Sequence, residues 1–532
     1  MSTLARLLQR GRLNPLRSAG AALIAVALLA NPADSQPPSA EKSYVYGSLA
    51  ADHLRARLMQ SPSLQIGDYI LQVASLRPVY ESRNYEPIWT GSRAAGANAK
   101  LALGALADAE SEGLRAQDYR YAELSAMTPS DGPAEVALEL LLTDSFLRYA
   151  RDLRAGRARS VEVESDAGLP SIGFDYGGAL ANAIENGTLS SFISDLTPRH
   201  PEYGRLKSAL ARYRAIEVAG GWPGLSLEEA MDGENAEPLR TRLVIEDETA
   251  SHGGLSEALT RYQKRNGLIA DGVLGARTLA ALNTPVETRI GQIRANMERW
   301  RWMPREFEAR RIAVNVPSAT LQYFNHGAVE LTSNVVVGNL GKRTPIIRTE
   351  ATAVTVNPVW YIPASIVWNE IVPRMRRDPS YLQRSGFIRS GGQLYQPPGP
   401  RNALGRIKIE MPNNFGVYLH DTPSKSLFAR DSRTLSHGCV RVDQIAPLAS
   451  LALSGDAHTM MDEIADIIAT RKTTRISLAE RVPVYLLYWT AIADDDGHAG
   501  FPRDVYGRDP RLLAALAGAR VSPRVATAEL SP

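Results

Sequence analysis

The spacing of apolar residues changes near residue 310, and that change divides the chain. Before it, apolar side chains recur at helical spacing, as in LALGALADAESEGL (101–114) and AEVALELLLTDSFLRYARDLRAG (134–156). Residues three and four apart share one helical face, so these stripes are buried only if the segments are helices. Beyond residue 310 the period is two. Ile312, Val314 and Val316 alternate with polar neighbours or Ala313, as do Val354 and Val356 in ATAVTVNP and Ile407 and Ile409 in GRIKIE. Alternation sends every second side chain to one face of a strand, so the C-terminal part is expected to be β-rich. Pro483–Trp489 and the DDDG turn (494–497) read as a terminal hairpin, and the last twenty residues read as a loose tail. The fold class is multidomain α+β.

Composition adds exclusions. With 44% hydrophobic and 22% charged residues, 532 residues supply several ordinary cores. A net charge of +3 without a long like-charge run argues against nucleic acid as the main partner. Arg6, Arg10, Arg12 and Arg17 precede the apolar run AGAALIAVALLA (19–30), which is too short to span a bilayer. Residues 1–33 therefore read as an export signal, either cleaved or kept as a membrane anchor. Export implies the periplasm, with inner-membrane association through this segment as the alternative.

The expected organisation follows in order. A helical scaffold spans 41–215, with Gly156 as a helix C-cap. A small helical module spans 222–286, where LSEALTRYQKRNGLIADGVLGARTLAALN (255–283) forms two helices. Leu255, Leu259 and Tyr262 share one face, Asn266-Gly267 ends that helix, and Asp271-Gly272 turns the chain. The β-rich domain spans 308–490 and carries an insertion, 364–400, with a helix-like IVWNEIVPRMRR and a rigid QPPGP exit. An insertion of that size is read as a mobile cap, with Arg374, Arg376 and Arg377 suited to carboxylates. Residues 491–532 hold the hairpin end and the tail.

The chemistry concentrates in LHDTPSKSLFARDSRTLSHGCVRVDQ (419–444), which holds the only cysteine. A lone cysteine cannot form an intrachain disulfide, and export exposes it to oxidation. It is a small buried hydrophobe, a partner for a cysteine of another chain, or a reactive thiol. A neighbouring imidazole can take its proton. His437 stands two residues before Cys439, and His420 ends the strand-like VYLH. The residues alone leave that choice open. Gly438 permits close approach of a substrate carbonyl, and amides near Cys439 are candidate oxyanion donors. Ser436 is placed to orient an imidazole or bind substrate, and Arg441 to fork a substrate carboxylate. Two histidines and a cysteine also suit zinc. However, H-x-C places ligands unusually close and no fourth ligand has zinc-motif spacing, so neither metal nor cofactor is expected.

SHGCVR (436–441), preceded by His420 in HDTPSKSLF, resembles the signature of the YkuD-type L,D-transpeptidases. NPVWYIP (357–363), QPPGPRNALGRIK (396–408) and PVYLLYWTA (483–491) resemble its large periplasmic branch, and D-G-x-x-G-x-x-T-x-x-A-L (271–282) resembles a peptidoglycan-binding module. The resemblance implies that Cys439 is the nucleophile and His420 its base, with His437 and Gly438 shaping the oxyanion site. Ser436, Arg441, Trp360 and Tyr418 are then candidate substrate-binding residues. It further implies attack on the third residue of a peptidoglycan tetrapeptide stem, release of D-alanine and cross-linking of two third-position diamino acids. Carbapenem acylation is implied as well. The alternatives are an L,D-carboxypeptidase, attachment of a lipoprotein to the wall, and a non-catalytic wall-binding protein.

Overall fold

The computed structural model describes residues 40–129, 131–169, 173–226 and 236–518, with only the helical backbone for 40–48. The export run and the tail beyond residue 518 lie outside these residues. Among the described residues no helix is long and apolar enough to cross a membrane.

The scaffold is helical, as its spacing requires. Its longest helix, α1 (Gly132–Ala155), starts where Asp131 accepts the Ala134 amide at 2.8 Å. It ends at Gly156, whose φ of 90° and lack of Cβ are both needed, since a Cβ would lie 2.8 Å from Glu298 Oε1. Leu140, Leu142, Phe146 and Leu153 bury against Leu54, Leu76 and Leu106. That core stops at Leu196. Helix α2 (Pro201–Val218), within the expected scaffold span, packs Tyr203, Leu206, Leu210 and Tyr213 into the core of the β-domain.

The module forms as the sequence indicates. Helices α3 (Leu255–Arg265) and α4 (Ala276–Leu282) flank a turn in which Gln263 Oε1 accepts the Gly272 amide at 2.8 Å. Gly272 has a φ of 69°, and a Cβ there would meet Ser256 Oγ at 2.3 Å.

Helix α5 (Val286–Arg301) joins all three parts. Arg294 donates to Gly113 O in the scaffold at 2.9 Å, and Arg289 to Ala281 O in the module at 2.7 Å. Asn296 donates to Thr490 in the β-domain at 2.8 Å, and Trp300 stacks on Trp489 at 4.4 Å. Its charges are buried as pairs, Arg301 with Glu298 at 2.8 Å and Arg299 with Asp509 at 2.6 Å.

The β-domain is one sheet that closes on itself. Its main strands are β1 (Arg311–Asn315), β2 (Thr320–Asn325), β3 (Ala328–Gly338), β4 (Ile346–Val356), β5 (Ile407–Glu410), β6 (Leu419–His420), β7 (Val440–Val442) and β8 (Thr474–Leu487). Their order is β5-β6-β7-β3-β2-β1-β8-β4, and β5 pairs with β4 to complete the circuit. Ile312 and Val314 bury on one face, as alternation predicts. Pro483–Trp489 is not a hairpin arm: most of it is the end of β8, parallel to β1 and antiparallel to β4. The terminal hairpin is smaller, pairing Ile492–Ala493 with Ala499–Gly500 across the DDDG turn. Nor is the described end of the tail loose. Helix α6 (Asp509–Leu516) buries Leu512 and Leu516.

The insertion is tied to the chain just before it. Trp360–Tyr361, Gln393–Gln396 and Ile388–Ser390 form a three-stranded sheet beside short helical segments from Ala364 to Arg384.

Arg508, fully buried, donates to Glu164 at 2.7 Å and to Asp166 at 2.6 Å. Arg508→Ala leaves a buried carboxylate uncompensated, and the expected loss of unfolding free energy is about 3–5 kcal/mol by denaturant titration. A loss of only ~1 kcal/mol, as for a surface pair, would contradict this role.

Candidate active site

Two short parallel strands place the thiol. Leu419 pairs with Val440 and His420 with Arg441, and the Val440 amide donates to Tyr418 O at 3.0 Å. Extending that register by one residue sets Tyr418 opposite Cys439. On the other side of β6, Lys408 pairs with His420. Directly paired residues on neighbouring strands point to the same face. Lys408, His420 and Arg441 therefore form a row across three strands, with Tyr418 and Cys439 as the adjacent row.

The turn before β7 is held from several directions. Gly438 has a φ of 107°, a region that disfavours side chains, and Arg343 O would lie 3.3 Å from a Cβ. Ser436 Oγ donates to Cys439 O at 2.5 Å and accepts the Gly438 amide at 3.1 Å. Gly438 O accepts from Thr344 Oγ1 at 2.8 Å. Tyr506 accepts the Thr344 amide at 3.1 Å and donates to Gly338 O at 2.6 Å. Gly438 thus serves the geometry of the turn, and its amide is already engaged by Ser436. The Cys439 amide remains as the turn's donor nearest the thiol.

A cavity of about 900 Å³ lies over these strands. The β-domain contributes Trp360, Lys408, Tyr418, His420, Ser436, His437, Cys439 and Arg441, and the insertion closes the other side with Ile366, Glu370, Arg374 and Arg384. All eight residues singled out in the sequence are brought together except Gly438, which sits behind the turn. Of the three insertion arginines named there, Arg374 lines the cavity; Arg376 and Arg377 do not. Glu370, Lys408, Thr344 and Tyr506 were not singled out. Lys408 had a signal: it occupies the opposite phase to Ile407 and Ile409, and that phase faces the site.

His420 is buried, and among the described residues its Nδ1 has no hydrogen-bond partner. Burial, then the charge of Arg441, pushes its pKa down to about 3. Burial also pushes the Cys439 thiol up, with hydrogen bonding to Tyr418 and the charges of Lys408 and Arg441 opposing it. The Tyr418 hydroxyl lies beside both the thiol and Trp360. Its ring is 5.5 Å from that of His420 and 4.3 Å from Lys408 Nζ. Both shifts favour a neutral thiol beside a neutral imidazole over a thiolate–imidazolium pair. His437 sits at the cavity mouth with Nε2 against Glu370 Oε1. Among the described residues, Asp494, Asp496 and His498 could together ligate a cation, but none lines the cavity.

A neutral resting pair has a kinetic signature. Alkylation of Cys439 by iodoacetamide should rise about tenfold per pH unit from pH 6 to beyond the ordinary thiol value of about 8.5. A rate plateau beginning below about pH 6 would show a preformed thiolate and contradict the assignment.

Residues 74–210 match the family described as "Scaffold domain", 247–282 match "Putative peptidoglycan binding domain", and 309–467 match "L,D-transpeptidase catalytic domain". A curated relative from Haemophilus influenzae, named "Putative L,D-transpeptidase", is 25% identical over 475 residues, covering 85% of this chain and 81% of its own. An L,D-transpeptidase structure from Stackebrandtia nassauensis is 16% identical, covering 48% of this chain and 91% of that one, with a TM-score of 0.21. L,D-transpeptidase 1 of Mycobacterium tuberculosis is 15% identical, covering 34% of this chain and 61% of that one, with a TM-score of 0.16. These TM-scores are too low for the structural likeness to bear on fold or activity. The chain carries, in order, a scaffold domain, a peptidoglycan-binding domain and a YkuD-type L,D-transpeptidase catalytic domain.

Proposed function

We propose that the protein is a cysteine-dependent L,D-transpeptidase of the periplasm or cell wall. The observation that carries this reading is the position of the chain's only cysteine. Cys439 lies in the wall of a peptide-sized cavity, opposite Tyr418 and two residues along the paired strands from buried His420, on the same face.

In the proposed reaction a tetrapeptide stem enters the cavity as acyl donor. Its carboxylates are drawn toward Lys408 and Arg441. That neutralisation weakens the cationic field on His420 and makes the imidazole a better base at the moment of attack. The thiol proton passes to His420 and the sulfur attacks the carbonyl of the third residue. The Cys439 amide donates to the developing oxyanion, with the Tyr418 hydroxyl on the same face. His420 returns the proton to the departing D-alanine nitrogen, leaving a thioester on Cys439. The side-chain amine of a second stem resolves it into a cross-link between two third-position residues. Ser436 and Gly438 hold the turn, and Trp360 borders the donor space.

The test is mass spectrometry of muropeptides formed by the purified full chain from disaccharide-tetrapeptides. Wild type is expected to give a cross-linked dimer that has lost D-alanine, and Cys439→Ala none. His420→Ala is expected to slow product formation by roughly a hundredfold or more, the scale of general acid–base catalysis. Near-wild-type product from Cys439→Ala would overturn the reading. Hydrolysed monomer alone from wild type would make the protein an L,D-carboxypeptidase.

A further inference from the structure

The charges around the cavity are lopsided. Arg374, Arg384, Arg401, Lys408 and Arg441 line it, whereas Glu370 is the one carboxylate among its lining residues. Such a cavity suits an acidic donor stem. It repels an ammonium, and the amine that resolves the thioester arrives as one. A cationic acceptor needs a local carboxylate, and the cavity offers one position for it.

Glu370 is placed by a five-residue π-turn, Val367–Ile371, within the helical part of the insertion. A π-turn shifts a side chain out of ordinary helical phase, and such turns concentrate at functional sites. Oε1 of Glu370 meets Nε2 of His437, two residues from Cys439. Among the described residues no amide or side chain donates to Oε2. Arg374, one helical turn on, donates instead to the Tyr381 hydroxyl at 2.9 Å. The Glu370 and His437 side chains keep 33% and 35% of their exposure, so an incoming group can reach both.

We propose that Glu370 and His437 form the acceptor-amine site, Glu370 holding the ammonium of the second stem and His437 taking one of its protons. This rests on the transferase reading of Cys439 and deepens it. The step balances as follows. The ammonium gives one proton to the His437 imidazole. The freed amine lone pair attacks the thioester carbonyl. The C–N bond forms, and the C–S bond breaks with its electron pair remaining on sulfur. A second proton passes from nitrogen to that sulfur, restoring the thiol, and the third stays on the new amide. Protonated His437 is left beside the Glu370 carboxylate, which stabilises it until the proton is lost to water. Water as acceptor needs no ammonium site, so Glu370 sets the preference for an amine over water.

The experiment measures partitioning of one acyl-enzyme. The full chain receives unlabelled disaccharide-tetrapeptide as donor and 15N-labelled disaccharide-tripeptide as acceptor. Mass spectrometry then reads the ratio of cross-linked dimer to unlabelled hydrolysed tripeptide. In Glu370→Gln the ratio is expected to fall about tenfold or more, the scale of one lost charge-assisted hydrogen bond. Glu370→Asp, which keeps the charge, is expected to recover part of it. The KM for acceptor should rise in Glu370→Gln more than the dimer-forming kcat falls. An unchanged ratio overturns the proposal. Loss of both products, with Cys439 unacylated by intact mass, also overturns it, because Glu370 would then only hold the insertion in place. Absence of acyl-enzyme in wild type would instead remove the nucleophile reading, so the two failures are distinguishable.

Discussion

The parallel pairing of Leu419–His420 with Val440–Val442 is the constraint on which the site depends. A parallel neighbour cannot be reached by a tight turn, and here the chain spends residues 421–439 on the return. That return carries Ser436, His437 and Gly438 to the mouth of the site before Cys439 meets Tyr418. The final turn has left-handed backbone at Gly438 and is braced by Thr344, itself held by Tyr506. Tyr506 stands two residues before Arg508, whose guanidinium is locked to Glu164 and Asp166. The thiol is therefore positioned by residues spread from the end of the scaffold to the last described helix.

Cationic charge is concentrated around His420, the residue proposed above to accept the thiol proton. Lys408 and Arg441 flank His420 in one cross-strand row, and both disfavour imidazolium while favouring thiolate. Under the proposed reaction, the arrival of substrate carboxylates would offset that charge and ease proton transfer to His420. The insertion adds charge of its own through Arg374 and Arg384, together with the lone carboxylate of Glu370. In the proposed reaction, donor and acceptor would be distinguished by the sign of the charge they meet.

Local patterns were legible in the sequence wherever one segment carried the whole signal. The Asp271-Gly272 turn, the Gly156 cap, the alternation at Ile312 and Val314, and the SHGC turn all depend on near neighbours. Features built from distant partners were not legible. In VETRIGQIRANMERWR, Arg289, Glu298, Arg299 and Arg301 are buried, because their charges are paired or bonded, in part to other segments. Pro483–Trp489 was read as a hairpin arm because a turn follows it, whereas its strand is completed by β1 and β4, more than a hundred residues earlier. Tyr506 lay in a segment without periodicity. Glu370 became part of the site only when the insertion folded against His437.

The proposed reaction requires Cys439 to carry the donor as a thioester. The most direct measurement is rapid acid quenching of the full chain with disaccharide-tetrapeptide, followed by intact mass and peptide mapping. The expected result is a transient mass increase equal to the donor minus D-alanine, mapped to the peptide containing Cys439 and released by hydroxylamine. An adduct on another residue, or product formed with Cys439 never modified, would contradict it.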